Sequence, residues 1–193
     1  MALTVVPSPR RSPGASDRVR RFYENELGWA TVPGKPGAPV RLRTGARFDV
    51  LDVPAEAGLA ALRHLAAGSP VAVRADRMRL LVAAGSAEEL PGLLDWLEWG
   101  PLRPDIRAIG TGGDIAAPAP PGTQKPGPRG AAVWLRPPEP GCEVERVLPT
   151  VSALGGDGGA AAGPSLVRVV DTMATQCHRI RLRGADNQPL AFS

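Results

Sequence analysis

The chain is poor in the residues that most often carry chemistry. It has two cysteines, Cys142 and Cys177, and two histidines, His64 and His178. Cys142 falls in a Pro/Gly loop and Cys177 in an expected helix. Together they make neither a disulfide framework nor a zinc site, and a reduced, cytosolic setting is expected. Neither histidine has a partner at ligand spacing, so packing or surface roles are expected for both. No nucleophile elbow is present, which argues against Ser-His-Asp and Cys-His hydrolase chemistry. Aromatics are few: Phe22, Tyr23, Trp29, Phe48, Trp96, Trp99, Trp134 and Phe192. Most fall at core spacing and so do not supply the stacking platform of a single-strand binder. No apolar run approaches the roughly 18 residues of a membrane span, and the first thirteen residues hold no continuous export-signal core. A soluble, cytoplasmic protein without a membrane partner is expected.

Arginine, glycine and proline are plentiful instead. The formal net charge is +4, and only Lys35 and Lys125 are lysines among 23 basic residues. A GC-rich bacterial genome accounts for such usage, yet the guanidinium fork also matches phosphate, so nucleic acid is a permitted partner. The 23 glycines and 22 prolines place much of the chain in turns and loops. A length of 193 residues suits one domain with a sizeable core.

Along the chain, residues 1–15 read as a flexible basic N-terminus. Ser16 is the expected cap of a helix over 17–27 that Gly28 stops. Short extended segments are expected at 29–32, 40–43 and 48–53. The last opens into a helix over 55–67 whose stripe is Leu59, Leu62, Leu65 and Ala66. Residues 70–73 and 78–83 read as a hairpin-like pair. Ser86-Ala87-Glu88-Glu89 reads as a capping box opening a helix with Leu90, Leu93, Leu94 and Leu97 on its buried side. Short strands follow at 106–109, 114–117 and 131–136. Residues 137–163 read as a Gly/Pro-rich loop or linker. A last helix is expected over 165–183, stopped by Gly184 and followed by a tail carrying Leu190 and Phe192, the whole of 164–193 packing on the domain.

The segment with most functional content is Arg47-Phe48-Asp49-Val50-Leu51-Asp52-Val53-Pro54. A strand ending in Asp-x-Asp turns two carboxylates to one face and can hold a divalent cation. Here Pro54 stands in the second acidic place, and Asp49 points to the face opposite Asp52. Gly110-Thr111-Gly112-Gly113 is either a phosphate cradle or a tight turn. Arg74, Arg77 and Arg79, with Arg41, Arg43 and Arg47, form either a phosphate-binding patch or an ordinary solvated face.

The order of these elements over 19–135 resembles the N-terminal domain of bifunctional DNA primase/polymerases, within the archaeo-eukaryotic primase superfamily. In that family a strand ending in Asp-x-Asp supplies metal carboxylates, a later strand supplies a histidine for the nucleotide phosphates, and an acidic residue precedes a Gly-Gly turn. Val50-Leu51-Asp52-Val53-Pro54 matches the first motif and lacks its second acid. Arg77-Met78-Arg79-Leu80-Leu81-Val82 matches the second loosely, with Arg79 near the histidine place. Asp105-Ile106-Arg107, followed by Gly112-Gly113-Asp114-Ile115-Ala116-Ala117-Pro118, is nearest to the third.

The resemblance implies an α+β primase/polymerase-like domain over 16–136, a mixed or antiparallel sheet with packed helices. It implies Asp52 and Asp105 as catalytic positions, Asp52 as the metal ligand, and Arg77, Arg79, Gly112 and Gly113 as nucleotide or phosphate contacts. Mg²⁺ or Mn²⁺ is needed only if catalysis survives; otherwise no cofactor is required. With one carboxylate left at the first motif, the expected function is a non-catalytic interaction module for nucleic acid or protein. The alternatives are a primase/polymerase that completes its metal site atypically, with Asp49, Asp105 or Asp114, and a regulatory scaffold that does not bind nucleic acid. DNA, a nucleotide or another protein are the partners considered.

Overall fold

The strand that carries the two aspartates is also the one the fold encloses most completely. A computed structural model describes residues 14–35, 37–122, 130–151 and 164–186. In it β2 (Asp49–Pro54) is buried along both faces. Its run of Val50, Leu51 and Val53 suits that position, because a strand covered on both sides needs apolar residues at odd and even places alike. The remaining strands are β1 (Arg41–Arg43), β3 (Val71–Arg74), β4 (Arg77–Val82), β5 (Arg107–Ile109), β6 (Asp114–Ala116) and β7 (Val133–Arg136). Five of them form an antiparallel sheet in the order β5-β2-β4-β3-β7, and β1 pairs with β6 in a separate two-stranded ribbon.

The helices are α1 (Ala15–Arg21), α2 (Ala55–Ala61), α3 (Ser86–Trp96) and α4 (Leu166–Asp186). The run β2-α2-β3-β4-α3-β5, with β2 between β5 and β4, is a split β-α-β arrangement that places two sequence-distant strands beside the central one. The class is α+β, as expected, with three layers.

One sheet face, with Leu51, Val53, Met78, Leu80 and Val82, packs against α2, α3 and α4. The opposite face, with Phe48, Val50 and Leu81, packs against Tyr23, Trp29, Leu42, Ile115, Val144 and Leu148. Tyr23, Trp29, Phe48 and Trp134 form a chain of ring contacts there. The Tyr23 hydroxyl donates to the Pro118 carbonyl at 2.7 Å and accepts from Trp134 Nε1 at 2.9 Å. Tyr23, Trp29 and Phe48 are thus spent on the core, each burying about 150–250 Å², while Trp96 is 67% exposed.

Several local expectations change. α2 is only seven residues long, continues as a 3-10 turn over Leu62–His64, and turns Ala57, Gly58 and Ala61 inward while Leu59 is 55% exposed. Small residues win this face because α4 crosses close by and Met78 lies against Gly58, where a methyl would sit 2.8 Å from Met78 Cβ. α1 is capped at Gly14, ahead of the expected Ser16, and runs on into a π-helical turn, Phe22–Glu26. Of the segment 29–32, only Thr31 bridges to Leu42. Within the expected loop or linker a 3-10 turn, Val144–Val147, buries Val144 and Leu148, and Val147 O accepts from Ser69 Oγ at 2.5 Å. The expected linker residues 152–163, the flexible N-terminus up to residue 13 and the tail with Leu190 and Phe192 lie outside the described residues. α4 runs through Gly184 for about 32 Å. Its long buried stripe, Leu166, Val169, Val170, Met173 and Cys177, outweighs the roughly 1 kcal/mol cost of a glycine.

Candidate functional site

Asp52 lies on β2 with arginines across from it on both neighbouring strands. In the register of the sheet, Arg79 of β4 and Arg107 of β5 stand directly opposite it. Arg79 Nε donates to Asp52 Oδ2 at 2.8 Å. Arg77, opposite Pro54, reaches back diagonally: its Nε donates to Asp52 Oδ1 at 2.6 Å and its Nη2 to the Asp52 carbonyl at 2.8 Å. The Nη1 of Arg77 turns outward to Asp105 Oδ2, just ahead of β5. Arg107 Nε lies 3.6 Å from Asp105 Oδ1. Three motif positions expected from sequence, Asp52, Arg79 and Asp105, therefore converge, and Arg77 joins them.

The inner pair of the cluster, Asp52 and Arg79, is shut off from water, while Asp105 and Arg107 lie at its exposed rim. Asp52 is 7% exposed and Arg79 9%. Both oxygens of Asp52 already accept a guanidinium hydrogen bond, the charge-assisted kind that is shortest and strongest. Burial of Arg77 opposes its charge, but its hydrogen bonds to Asp105 and Asp52 and their charges outweigh this and hold it still more firmly protonated than usual. Arg79 Nη1 is buried and makes no hydrogen bond among the described residues.

Three guanidiniums face two carboxylates here. A dication would have to displace an arginine from Asp52 and enter a locally positive site, whereas Mg²⁺ needs oxygen ligands and net negative charge to give up its waters. Among the described residues no group of three or more His, Cys, Asp or Glu side chains is placed to hold a metal.

Arg77 and Arg79, expected as phosphate contacts, are both paired with carboxylates of the chain. Both are turned to internal carboxylates, so neither presents a free fork to solvent. The reason is the register: Asp52 and Arg79 are cross-strand partners on a covered face, and burial makes each indispensable to the other.

Gly112 and Gly113 lie beyond β5, at the end away from Asp105. Gly113 N bonds Gly110 O at 3.0 Å, Gly112 has φ +78, and Thr44 Oγ1 donates to Gly110 O at 2.6 Å. They form the turn between β5 and β6, one strand length, about 10 Å, from the Asp52 cluster.

Asp114 and Asp49, considered above as further metal ligands, are engaged elsewhere. Asp114 pairs with Arg41 across the β1–β6 ribbon. Asp49 is on the helical side of β2, fully buried, and its Oδ2 accepts the backbone N–H groups of Gly85 at 2.8 Å and Ala87 at 2.9 Å. It caps α3 from another element. This replaces the expected capping box, because Ser86 is already the first helical residue and the capping position is Gly85, at φ +92. Burial pushes the Asp49 carboxyl above its ordinary range. The amides of Ala87 and Gly85 oppose that and the nearby Glu88 charge adds to it.

Sequence reasoning did not find the surroundings of the cluster. Cys177 Sγ of α4 lies 3.7 Å from the Asp105 carbonyl, and burial, with the Asp105 charge, raises its thiol to about 11. Arg181 Nη1 donates to the Leu102 carbonyl at 2.6 Å. Arg183 pairs with Glu56 at the start of α2. The alternation of arginines at 179, 181 and 183 was a visible signal, but only docking of α4 against the loop ahead of β5 brings it beside the motif positions.

His64 accepts from Arg63 Nε at 3.0 Å, and burial with the Arg63 and Arg168 charges lowers its pKa against the pull of Asp171. His178 contacts Trp99 and Arg181. Both cysteines are free. Among the described residues no helix is long and apolar enough to cross a membrane. No protein-family model, curated protein or solved structure matches this chain.

Proposed function

We propose that this chain is a non-catalytic primase/polymerase-like domain that serves as an interaction module for nucleic acid or protein. The observation that supports this reading is the state of Asp52, the one acid retained at the metal motif. It is buried, with each oxygen hydrogen-bonded to a guanidinium. A carboxylate so held acts as a structural counter-charge for Arg77 and Arg79, and the positions that would bind metal and nucleotide have become one internal ion-pair network. Asp105, the other proposed catalytic position, is tied to the same network by Arg77.

The test is extension of a primed template by the full chain with Mg²⁺ or Mn²⁺, beside an Asp52→Asn variant. Neither protein should extend the primer, and neither cation should raise the melting temperature of the parent. Metal-dependent extension that disappears in Asp52→Asn would overturn the proposal and restore the enzyme reading. Inactivity together with binding to a DNA or protein partner supports the module.

A further inference from the structure

We infer that the arginine-rich end of the molecule, where the last turns of α4 meet the loop ahead of β5, binds the phosphate backbone of a nucleic acid. This rests on the interaction-module reading and names its partner and surface. The contacts that assemble this end are specific. Arg181 is anchored on the Leu102 carbonyl, which sets the α4 turn beside Arg103. Cys177 abuts the Asp105 carbonyl, and Arg107 follows two residues later. Arg179 and Arg183, one helical turn apart, line an open groove of about 460 Å³ with Glu56, Gln176 and Leu182.

Arg103, Arg107, Arg179, Arg181 and Arg183 are all exposed. The acids paired at this end are Glu56, with Arg183, and Asp105, which is held mainly by Arg77. Arg107 keeps only a 3.6 Å approach to Asp105 and is 74% exposed in its side chain. Arg103 and Arg179 have no carboxylate partner among the described residues. Arg103 also holds φ +44, a left-handed conformation that is strained for a residue with a side chain.

Clustered positive charge repels itself and is relieved by a polyanion. A phosphodiester chain fits better than an acidic protein segment. Protein interfaces centre on aromatic anchors in apolar pockets, whereas the exposed apolar residues of this end are Leu102 and Leu182, and the half-buried Trp99 is engaged within the fold by His178 and Asp171. Guanidinium forks contact the backbone and leave bases unread, so recognition is independent of sequence.

The experiment is fluorescence anisotropy of the full chain with a short labelled DNA, as single strand and as duplex, titrated from about 50 to about 200 mM salt. The triple variant Arg103→Ala, Arg107→Ala, Arg179→Ala is compared with a charge-matched triple elsewhere, Arg18→Ala, Arg43→Ala, Arg168→Ala. Melting temperatures establish that both are folded. Binding by the parent should weaken steeply with salt. The first triple should lower the magnitude of the log–log salt slope by about three, about one per lost phosphate contact, while the control changes it little. Whichever DNA form binds more tightly identifies the form recognised.

Equal losses in the two triples would overturn the surface assignment. So would absence of DNA binding, or displacement by poly-aspartate as effective per charge as by unlabelled DNA. Those failures leave the non-catalytic reading standing, since that reading falls only if primer extension is observed.

Discussion

Removing the Asp52 carboxylate is the most informative single perturbation. In Asp52→Ala, Arg79 keeps its charge at a position 9% exposed and loses the acceptor 2.8 Å from its Nε, while Arg77 loses one carboxylate contact and keeps Asp105. Breaking a buried ion pair from one side costs about 3–5 kcal/mol, most of it the penalty of the charge left behind. Set against a typical total of about 5–15 kcal/mol, that is a large share of stability. For a chain of this size it corresponds to a fall of roughly 6–20 °C in melting temperature. Removing both charges tests the cause: Arg79→Met added to Asp52→Ala should recover about 1–3 kcal/mol, because the orphaned guanidinium is gone and an apolar side chain fills its place. Urea denaturation followed by far-UV circular dichroism, on parent, both single variants and the double, closes the cycle. Salt should change the coupling little, because the pair is shielded from solvent. The reasoning fails if Asp52→Ala costs under about 1 kcal/mol, or if the single effects add in the double variant to within about 0.5 kcal/mol.

Other expectations follow from the same contacts. Asp49 has its carboxyl pKa raised in the fold, so the folded state holds the proton more tightly than the unfolded chain. Its contribution is most favourable below the unfolded value and is lost as pH rises through the folded one. Asp49→Asn keeps an acceptor for the Gly85 and Ala87 amides without the buried charge, so its stability relative to the parent should improve as pH rises above the ordinary carboxylate range. Urea midpoints that diverge the other way would refute this. Gly58→Ala should destabilise by about 1–3 kcal/mol through overpacking against Met78, measured as a lower melting temperature. Ala75, the first residue of the two-residue turn between β3 and β4, has φ +54; Ala75→Gly should gain about 1 kcal/mol by thermal melting. Cys142 is exposed and Cys177 is buried with its thiol raised to about 11, so a thiol reagent should label the first at once and the second only on unfolding. Rapid labelling of both in the native protein would contradict the docking of α4.

Legibility from sequence followed how local each determinant was. The β3–β4 hairpin, α3, α4 and the strands at 107–109 and 114–116 were readable, because periodicity and turn residues act within a few positions. The inward face of α2 was misread because Leu59 looked like core. The deciding facts were the approach of α4 and the side chain of Met78, both distant in sequence. The cap of α3 was misread for the same reason, Asp49 being 36 residues from the amide of Gly85 that it accepts. At the candidate site, Asp52, Arg77, Arg79 and Asp105 were each named from sequence, but as ligands of a metal or phosphate.

The sequence by itself determined the raw chemistry: an α+β chain with Asp52 two residues ahead of Pro54, arginines at 77 and 79, and few aromatics. Only the tertiary structure decided what those charges do. The antiparallel register sets Arg79 and Arg107 on either side of Asp52, and the covering layers remove water from the pair. In a low-dielectric setting a carboxylate and a guanidinium satisfy one another before any outside ion can. Packing of α4 along α2 and the loop ahead of β5 sets Arg179, Arg181 and Arg183 at the surface near Arg103 and Arg107.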